Sequence, residues 1–545
     1  MALSVGVDVV DCFAPETLAK FAQPDAYPTD PSAVRGVSWI QTHLSHVFLT
    51  ERRVYKLRKP VALGFVDFTT RAERNADCAR EVSLNRRLAP DVYLGIAPLL
   101  TDGHACWAGP ISEGTSSGDG APEHFVVMRR LQDGRDALSL LEKGVLSKLQ
   151  IDRVARRIAS FHERNPLGAP APFAATAWHA RCVDPVEECF RALFAVLEDG
   201  GVRALLAETA DLMRDFAKRH VQRFEERRLS GRAVDGHGDL HLQHIWFEED
   251  DAEPVIIDCL EFSEELRQID TASEVAFTAM DLWYRDQRLL AERFLRTYAS
   301  ECDDFDLYGV VDYFIAYRAL VRAKVAAIVS VDANIDPGQR ARAAASAGRH
   351  LELAAEVMGG EAQGFLVLVG GVVGTGKSTV AKALAEPLGG VVISSDRVRK
   401  QLAGLAPTNR VYSLPDQGFY APDAVERTYA ALFERARPIV ASGRVAILDA
   451  TFSRRRHRAM AADLAAELGV GQRVIEVRCA PHIARARLAR RAAEVASASD
   501  AGPAFYDRSV ARFEAVAESE CPLVVRTDVD GWREALEGDV RDLRS

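Results

Sequence analysis

No apolar run in this 545-residue chain approaches the roughly 20 residues that a bilayer-spanning helix needs. Positive charge is not in excess either: the formal net charge is −10, which disfavours the broad basic face that duplex nucleic acid requires. Nine cysteines, an odd number, form no C-x-x-C pair and have no histidines at zinc spacing, so neither a disulfide framework nor a structural zinc is expected. A reducing, cytoplasmic setting follows as the simplest expectation. The first 30 residues carry Asp8, Asp11 and Glu16 where a secretory signal would have a basic segment followed by an apolar one.

With 48% hydrophobic and 27% charged residues, the composition is that of a globular protein, and the length suggests roughly two to four domains. The most informative stretch begins with an apolar run, Phe365 to Val369, which reads as a buried strand. Gly371, Gly376, Lys377 and Ser378 then fill G-x-x-x-x-G-K-S, and a segment of helical character follows. In that context Gly371, Gly374, Thr375 and Gly376 curl backbone N–H groups around phosphate oxygens, and the helix carrying Thr379 adds its positive end. Lys377 reaches the β/γ phosphates of ATP, and Ser378 can hold Mg²⁺.

Upstream, residues 42–57 read as two short strands around a polar turn at 51–53, with Lys56 on the second. A helix is expected from about Arg71, carrying Glu81. A strand lysine paired with a helix glutamate is how kinases hold the α/β phosphates of ATP. No G-x-G-x-x-G lies between the strands, so Ser45 and backbone amides would have to cover the phosphates. Residues 137–164 and 185–228 show helical periodicity. Between them and a second helical region lies His237, Gly238, Asp239, Leu240, His241, followed by His244 and by a strand, 255–257, that ends in Asp258. An acidic turn at 248–254 would fold Asp258 back beside the Asp239 loop.

This pattern resembles the aminoglycoside phosphotransferase family, a small-molecule branch of the protein-kinase fold, over about residues 30–330, Phe161 and His162 included. The resemblance implies Asp239 as catalytic base, Asp258 as Mg²⁺ ligand, and Lys56 with Glu81 as the ATP-phosphate pair, with Asp270 bracing the catalytic loop. One position departs: where the kinase pattern has asparagine five residues after the base, this chain has His244, a second candidate ligand but a poor one for a hard cation.

Beyond a short Gly-containing joint at 358–364, apolar runs near 391–393, 445–448, 473–477 and 523–525 alternate with helical segments. Together with the first strand they predict a parallel, doubly wound α/β sheet, with ligands at the carboxyl ends of the strands. Asp396 and Arg399 follow the second strand, Asp449 the third, and Arg485, Arg487, Arg490 and Arg491 the fourth. The set resembles P-loop kinases of the polynucleotide-kinase, gluconate-kinase and zeta-toxin type over about 365–530. That resemblance implies Asp396 as general base, Arg399 as substrate anchor, Asp449 as a Walker-B-like metal acid, and Arg487 with Arg491 as a lid over the transferring phosphoryl group. Asp396 could instead serve as a helix N-cap.

The expected organisation is therefore a bilobal α+β kinase-like module over 1–357 (N-lobe about 30–132, helical C-lobe about 133–357), a linker at 358–364, and a P-loop α/β module over 365–545. The expected function is a bifunctional ATP- and Mg²⁺-dependent phosphotransferase acting on small-molecule hydroxyl acceptors. Two rivals use the same parts: a ligand-sensing kinase-like domain coupled to a P-loop ATPase switch, or a polynucleotide 5′-hydroxyl kinase in the C-terminal half. Fold resemblance does not name the acceptor.

Overall fold

The computed structural model describes residues 13–542 except 63–65, 115–120, 361–362, 406–408, 410–417 and 494–503. Its contacts gather into two compact units, one of residues 1–172 with 230–274, the other of 173–229 with 275–545.

The first unit is built on a six-stranded antiparallel sheet in the order 38–41, 45–49, 53–58, 124–129, 93–101, 106–108. The expected strand pair is there, with Lys56 in register between Val47 and Val126. Alternation puts Tyr55 and Leu57 on the face opposite Lys56. There Phe21, Phe48, Tyr55 and Phe125 form an aromatic core, with the Phe21 and Phe125 rings 5.2 Å apart at an edge-to-face angle. The other face receives the helix Arg71–Asn85. A capping box between Thr70 and Glu73 starts this helix, and Cys78 and Val82 pack on Tyr93, Ile96 and Val126. Burying that stripe turns Glu81 toward the sheet. Two small ribbons complete the unit: Ala233–Asp235 with Gln268–Asp270, and Ile245–Trp246 with Val255–Ile256, the latter being the expected hairpin.

In the second unit, helices that include Ala175–Val196, Gly200–Arg219, Arg288–Cys302, Val311–Val331 and Pro337–Gly359 accompany a five-stranded parallel sheet. The strand order is 391–394, 445–449, 365–370, 471–478, 523–526, with the first strand in the centre as in doubly wound folds. The register sets Val369 beside Asp449 and Asp449 beside Ser394, so the three strand ends that carry chemistry are neighbours. Among the described residues no helix is long and apolar enough to cross a membrane.

One buried group ties the sheet to the helices of the same unit. The Arg444 guanidinium, at the start of the strand Val445–Asp449, donates to Glu292 at 2.9 Å and to both Asp312 oxygens at 2.8 and 2.9 Å, and lies over the Tyr308 ring. Replacing Arg444 with methionine fills the space but leaves two carboxylates without their cation. Breaking such a pair from one side costs about 3–5 kcal/mol. Arg444→Met should therefore lower unfolding stability by about 3 kcal/mol, less than the maximum because Asp312 is a quarter exposed. Chemical denaturation of the full chain would measure it, and an unchanged midpoint would refute the pinning role.

Candidate functional sites

The P-loop is shaped by glycines that no other residue could replace. Gly371 has φ +143°, and a Cβ there would sit 2.4 Å from the Val477 carbonyl oxygen; Gly374, at φ +80°, would meet the Ala484 carbonyl at 2.8 Å. The loop leads into the helix Lys377–Leu388, whose first turn holds Ser378 and Thr379 and whose N-terminus is uncapped by any side chain. Lys377 Nζ donates to the Val372 carbonyl of its own loop at 3.0 Å. Asp449 is buried at the end of the neighbouring strand. Burial pushes its carboxyl up, against the opposing pull of the Ser378 hydroxyl and the Lys377 ammonium. A phosphate-bound divalent cation fits this pair, since a serine hydroxyl and a carboxylate are the oxygen ligands it prefers.

These residues open on one cavity of about 540 Å³, lined by Lys377, Ser378, Asp396, Arg399, Asp449 and Thr451, among others. Asp396 lies in the first turn of the helix Ser395–Leu402. The N-cap position belongs to Ser394, so the capping alternative for Asp396 fails. Arg399 bonds Asp396 at 2.7 Å and covers the Tyr420 ring. Arg487 is placed differently from expectation: it bonds the Thr375 carbonyl and the hydroxyl and carbonyl of Thr527, at 3.3, 2.8 and 3.0 Å. It thus anchors the loop to the last strand and is not poised over the cavity, because its planar fork matches a set of fixed acceptors. Arg485 pairs with Asp507, and the side chain of Arg491 lies outside the described residues. The arginines that do line the cavity include Arg454, Arg456, Arg508 and Arg512. Sequence reasoning passed over them; the run 454–458 directly after the Asp449 strand was the available signal.

In the first unit, Lys56 Nζ bonds Glu81 at 2.9 Å and Asp258 at 3.1 Å, so three expected site residues meet. Burial works against the Lys56 ammonium, but Asp258 and Glu81 outweigh it and hold its pKa above the usual value. Reciprocally, Lys56 holds the Asp258 carboxyl far below the ordinary range, with burial opposing. Asp258 has φ +64°, a strained conformation for a residue other than glycine and one of the kind found at functional sites. The part played by Arg58 is not marked by any motif. Buried beside Lys56, it bonds Asp77 at 2.7 Å, Glu81 at 2.8 Å and also Glu261. It takes the Ser45 hydroxyl as well, at 3.1 Å. Ser45 is fully buried in that contact, so the expectation that it covers phosphates is corrected.

The loop with Asp239 is braced by Glu274, whose carboxylate accepts the His237 N–H at 2.6 Å and the Gly238 N–H at 3.1 Å. Gly236 makes room for it: a Cβ there would lie 1.9 Å from the Glu274 oxygen. Asp270, expected in the bracing role, accepts from the Ala272 N–H at 2.7 Å in its own helix turn. Burial works to raise the Asp239 carboxyl, but the His241 hydrogen bond and the His244 and His237 imidazoles outweigh it, leaving it below the usual range. His244 donates Nδ1–H to the Asp239 backbone carbonyl at 2.9 Å, and its Nε2 is 3.5 Å from Asp258 Oδ2, so it links the Asp258 carboxylate to the backbone of the Asp239 loop.

The fold defines the class: a protein-kinase-like antiparallel lobe in one chain with a P-loop α/β domain. Residues 366–516 match the family model for an AAA domain, AAA_33. The chain belongs to the same family as the uncharacterized protein Rv2004c of Mycobacterium tuberculosis strain H37Rv, with 34% identity over 467 residues, 84% of this chain and 85% of that relative. Among solved structures, a choline/ethanolamine kinase family protein from Mesorhizobium loti aligns with 62% of this chain and 98% of its own, at 16% identity and a TM-score of 0.35. A gluconokinase from Sinorhizobium meliloti 1021 aligns with 33% of this chain and 94% of its own, at 20% identity and a TM-score of 0.24.

Glu274 offers a direct test of the loop's construction. In Glu274→Gln one acceptor oxygen becomes an N–H₂ group facing backbone donors. The expected cost is about 1–3 kcal/mol of stability, with loss of any turnover that depends on Asp239 and none of that which depends on Lys377. Melting curves, and ATP turnover measured in a Lys377→Ala background, would check it.

Proposed function

We propose that this protein is an ATP-dependent phosphotransferase with two sites, each moving the γ-phosphoryl group of ATP to a hydroxyl of a small-molecule acceptor. The modules meet at 358–364, with the kinase-like site in 1–357 and the P-loop site in 365–545. One observation carries the reading: Lys377, Ser378, Asp449 and Asp396 face a single cavity large enough for a nucleotide's phosphates and an acceptor together. Lys377 neutralises the phosphates, and Ser378 with Asp449 would hold Mg²⁺, which supplies further positive charge where negative charge accumulates. Asp396 takes the proton of the attacking hydroxyl, ADP leaves, and Arg399 orients the base through their ion pair. In the kinase-like site Lys56, positioned by Glu81, holds ATP phosphates, Asp239 is the base, and Asp258 would hold the metal.

Two substitutions in the full chain test the P-loop assignment. Lys377→Ala should lower P-loop turnover by about a hundredfold or more, since positioned charge is the main catalytic device in phosphoryl transfer. Asp396→Asn should abolish acceptor-dependent ADP release while leaving ATP affinity within about twofold, because the base touches the nucleophile and not the nucleotide. Both are best measured in an Asp239→Asn background that silences the other site. Retained acceptor-dependent turnover in Asp396→Asn would refute its role as base.

A further inference from the structure

The P-loop cavity is cationic in an acidic chain. Among the described residues, six of its lining side chains are basic and three are acidic, against a formal net charge of −10 for the whole sequence. Each of the three acids is already met. Asp396 accepts from Arg399 at 2.7 Å, Glu426 pairs with Arg456 and accepts from His457 Nε2–H at 3.0 Å, and Asp449 faces the Ser378 hydroxyl and Lys377. Arg508 and Arg512 flank Ser509, whose hydroxyl accepts the Val373 N–H of the P-loop at 3.3 Å, so they stand on the nucleotide side. Arg454 remains: it lines the cavity, is exposed, and makes no ion pair among the described residues. Its neighbours Arg456 and His457 reach Glu426 on the helix Pro422–Ala441, which packs on Ser395–Leu402, the helix of Asp396. Arg399 adds a second donor on that side. Its guanidinium bonds Asp396 and covers the Tyr420 ring, while its Nε–H is buried with no acceptor among the described residues. A buried N–H without a partner is a cost that a ligand oxygen removes. Sheet order keeps Arg399 off the nucleotide's phosphates: the strand before it lies two places from the P-loop strand, roughly 10 Å at about 4.8 Å per strand.

Resting on the reading of the P-loop site as a phosphotransferase, we propose that its acceptor is a small hydroxylated anion, carrying a carboxylate or phosphate that Arg454 binds, with a further oxygen taking the Arg399 Nε–H. Arginine's planar fork matches either oxyanion. The acceptor's hydroxyl then meets Asp396. Its proton passes to the carboxylate, its oxygen bonds the γ-phosphorus as the bond from that phosphorus to the β–γ bridging oxygen breaks, and ADP leaves with that electron pair. A neutral polyol would cover Arg454 without supplying a counter-charge. An oligonucleotide brings bases that need an aromatic platform, and the two cavity tyrosines each have a ring face occupied. Arg399 covers Tyr420, and His457 stacks on Tyr429 with ring centroids 3.7 Å apart.

The test is acceptor-dependent ADP release by the full chain in the Asp239→Asn background, with matched probes: glycerol, glycerate and glycerol 3-phosphate, then glucose, gluconate and glucose 6-phosphate. An anionic member should exceed its neutral parent by at least about tenfold in kcat/KM, the worth of a charge-assisted contact, and the two arms tell which oxyanion is taken. Arg454→Gln should erase that preference and Arg454→Lys should keep part of it. Arg455→Gln, which removes the same charge from a side chain outside the cavity lining, should keep all of it. Arg454 is exposed, so these substitutions spare the fold. Binding is read separately, by calorimetric titration of the Mg·ADP-saturated chain with methyl phosphate and with propionate. One of the two should bind at least about tenfold more weakly to Arg454→Gln than to Arg455→Gln. A preference for neutral probes, a preference for anions that survives Arg454→Gln, or faster turnover of a 5′-hydroxyl oligonucleotide than of every small anion would overturn the proposal and leave phosphotransfer standing. Turnover of no probe, with anion binding that depends on Arg454, would support the anion site and count against the phosphotransfer reading. Absence of both would overturn the proposal.

Discussion

The P-loop site depends on a buried arginine that is not part of it. Arg444 begins the strand that ends in Asp449, and its guanidinium is spent on Glu292 and Asp312. A cation and two acids taken out of water recover their lost hydration only if the partners are held in place, so the strand cannot slide without breaking the set. The same helices secure a second element of the site. Arg397, one residue from Asp396, bonds the Ser300 carbonyl at 2.9 Å, and Arg293 and Arg296 both reach Glu386 on the helix that follows the P-loop. The three structural elements that carry Asp449, Asp396 and Lys377 are thereby each tied to the Arg288–Cys302 helix, and the first of them to Val311–Val331 as well. Catalysis by positioning needs that rigidity, because a shift of about an ångström in a base or a phosphate cradle is enough to lose most of the effect.

The kinase-like site solves its charge problem differently. Lys56, Arg58, Asp77, Glu81, Asp258 and Glu261 form one connected network in which each carboxylate has a cation against it. Glu81 is shared between Lys56 and Arg58, which fixes its two oxygens independently. A lone lysine–glutamate pair could rotate away when phosphates arrive; here Arg58 retains Glu81, so Lys56 can turn toward a nucleotide without leaving a buried carboxylate unpaired. Asp258 stands at the exposed end of the network and in a strained backbone conformation.

The parts of this architecture that were legible in the sequence are those encoded locally. Strand–glycine loop–helix with lysine and serine at fixed places has one physical solution, and the alternation of apolar runs with helical segments specified the parallel sheet. Lys56 and Glu81 could be paired because strand and helix follow one another closely. What was not legible required contacts across long separations. Glu274 lies 37 positions from the His237 amide it braces, and Arg487 meets Thr527 from 40 positions away. The P-loop-kinase resemblance marked Arg487 as a lid residue, but which acceptors it meets is decided by tertiary packing, and backbone carbonyls have no signature in a sequence. The cavity arginines 508 and 512 were missed for the same reason, since they arrive from a segment remote from every motif.

Arg444 also bears on how the two sites can be separated. A cut at the Gly-containing joint, 358–364, looks innocuous because the joint itself carries few side chains. It would nonetheless leave residues 365–545 with a guanidinium whose acceptors, Glu292 and Asp312, lie on the other fragment, and would strip Glu386 of Arg293 and Arg296. Loss of turnover in such a fragment would then report displaced strands and helices, not the absence of catalytic groups. Substitutions confined to one site in the intact chain keep the buried ion pairs whole, so a change in rate can be assigned to the group removed.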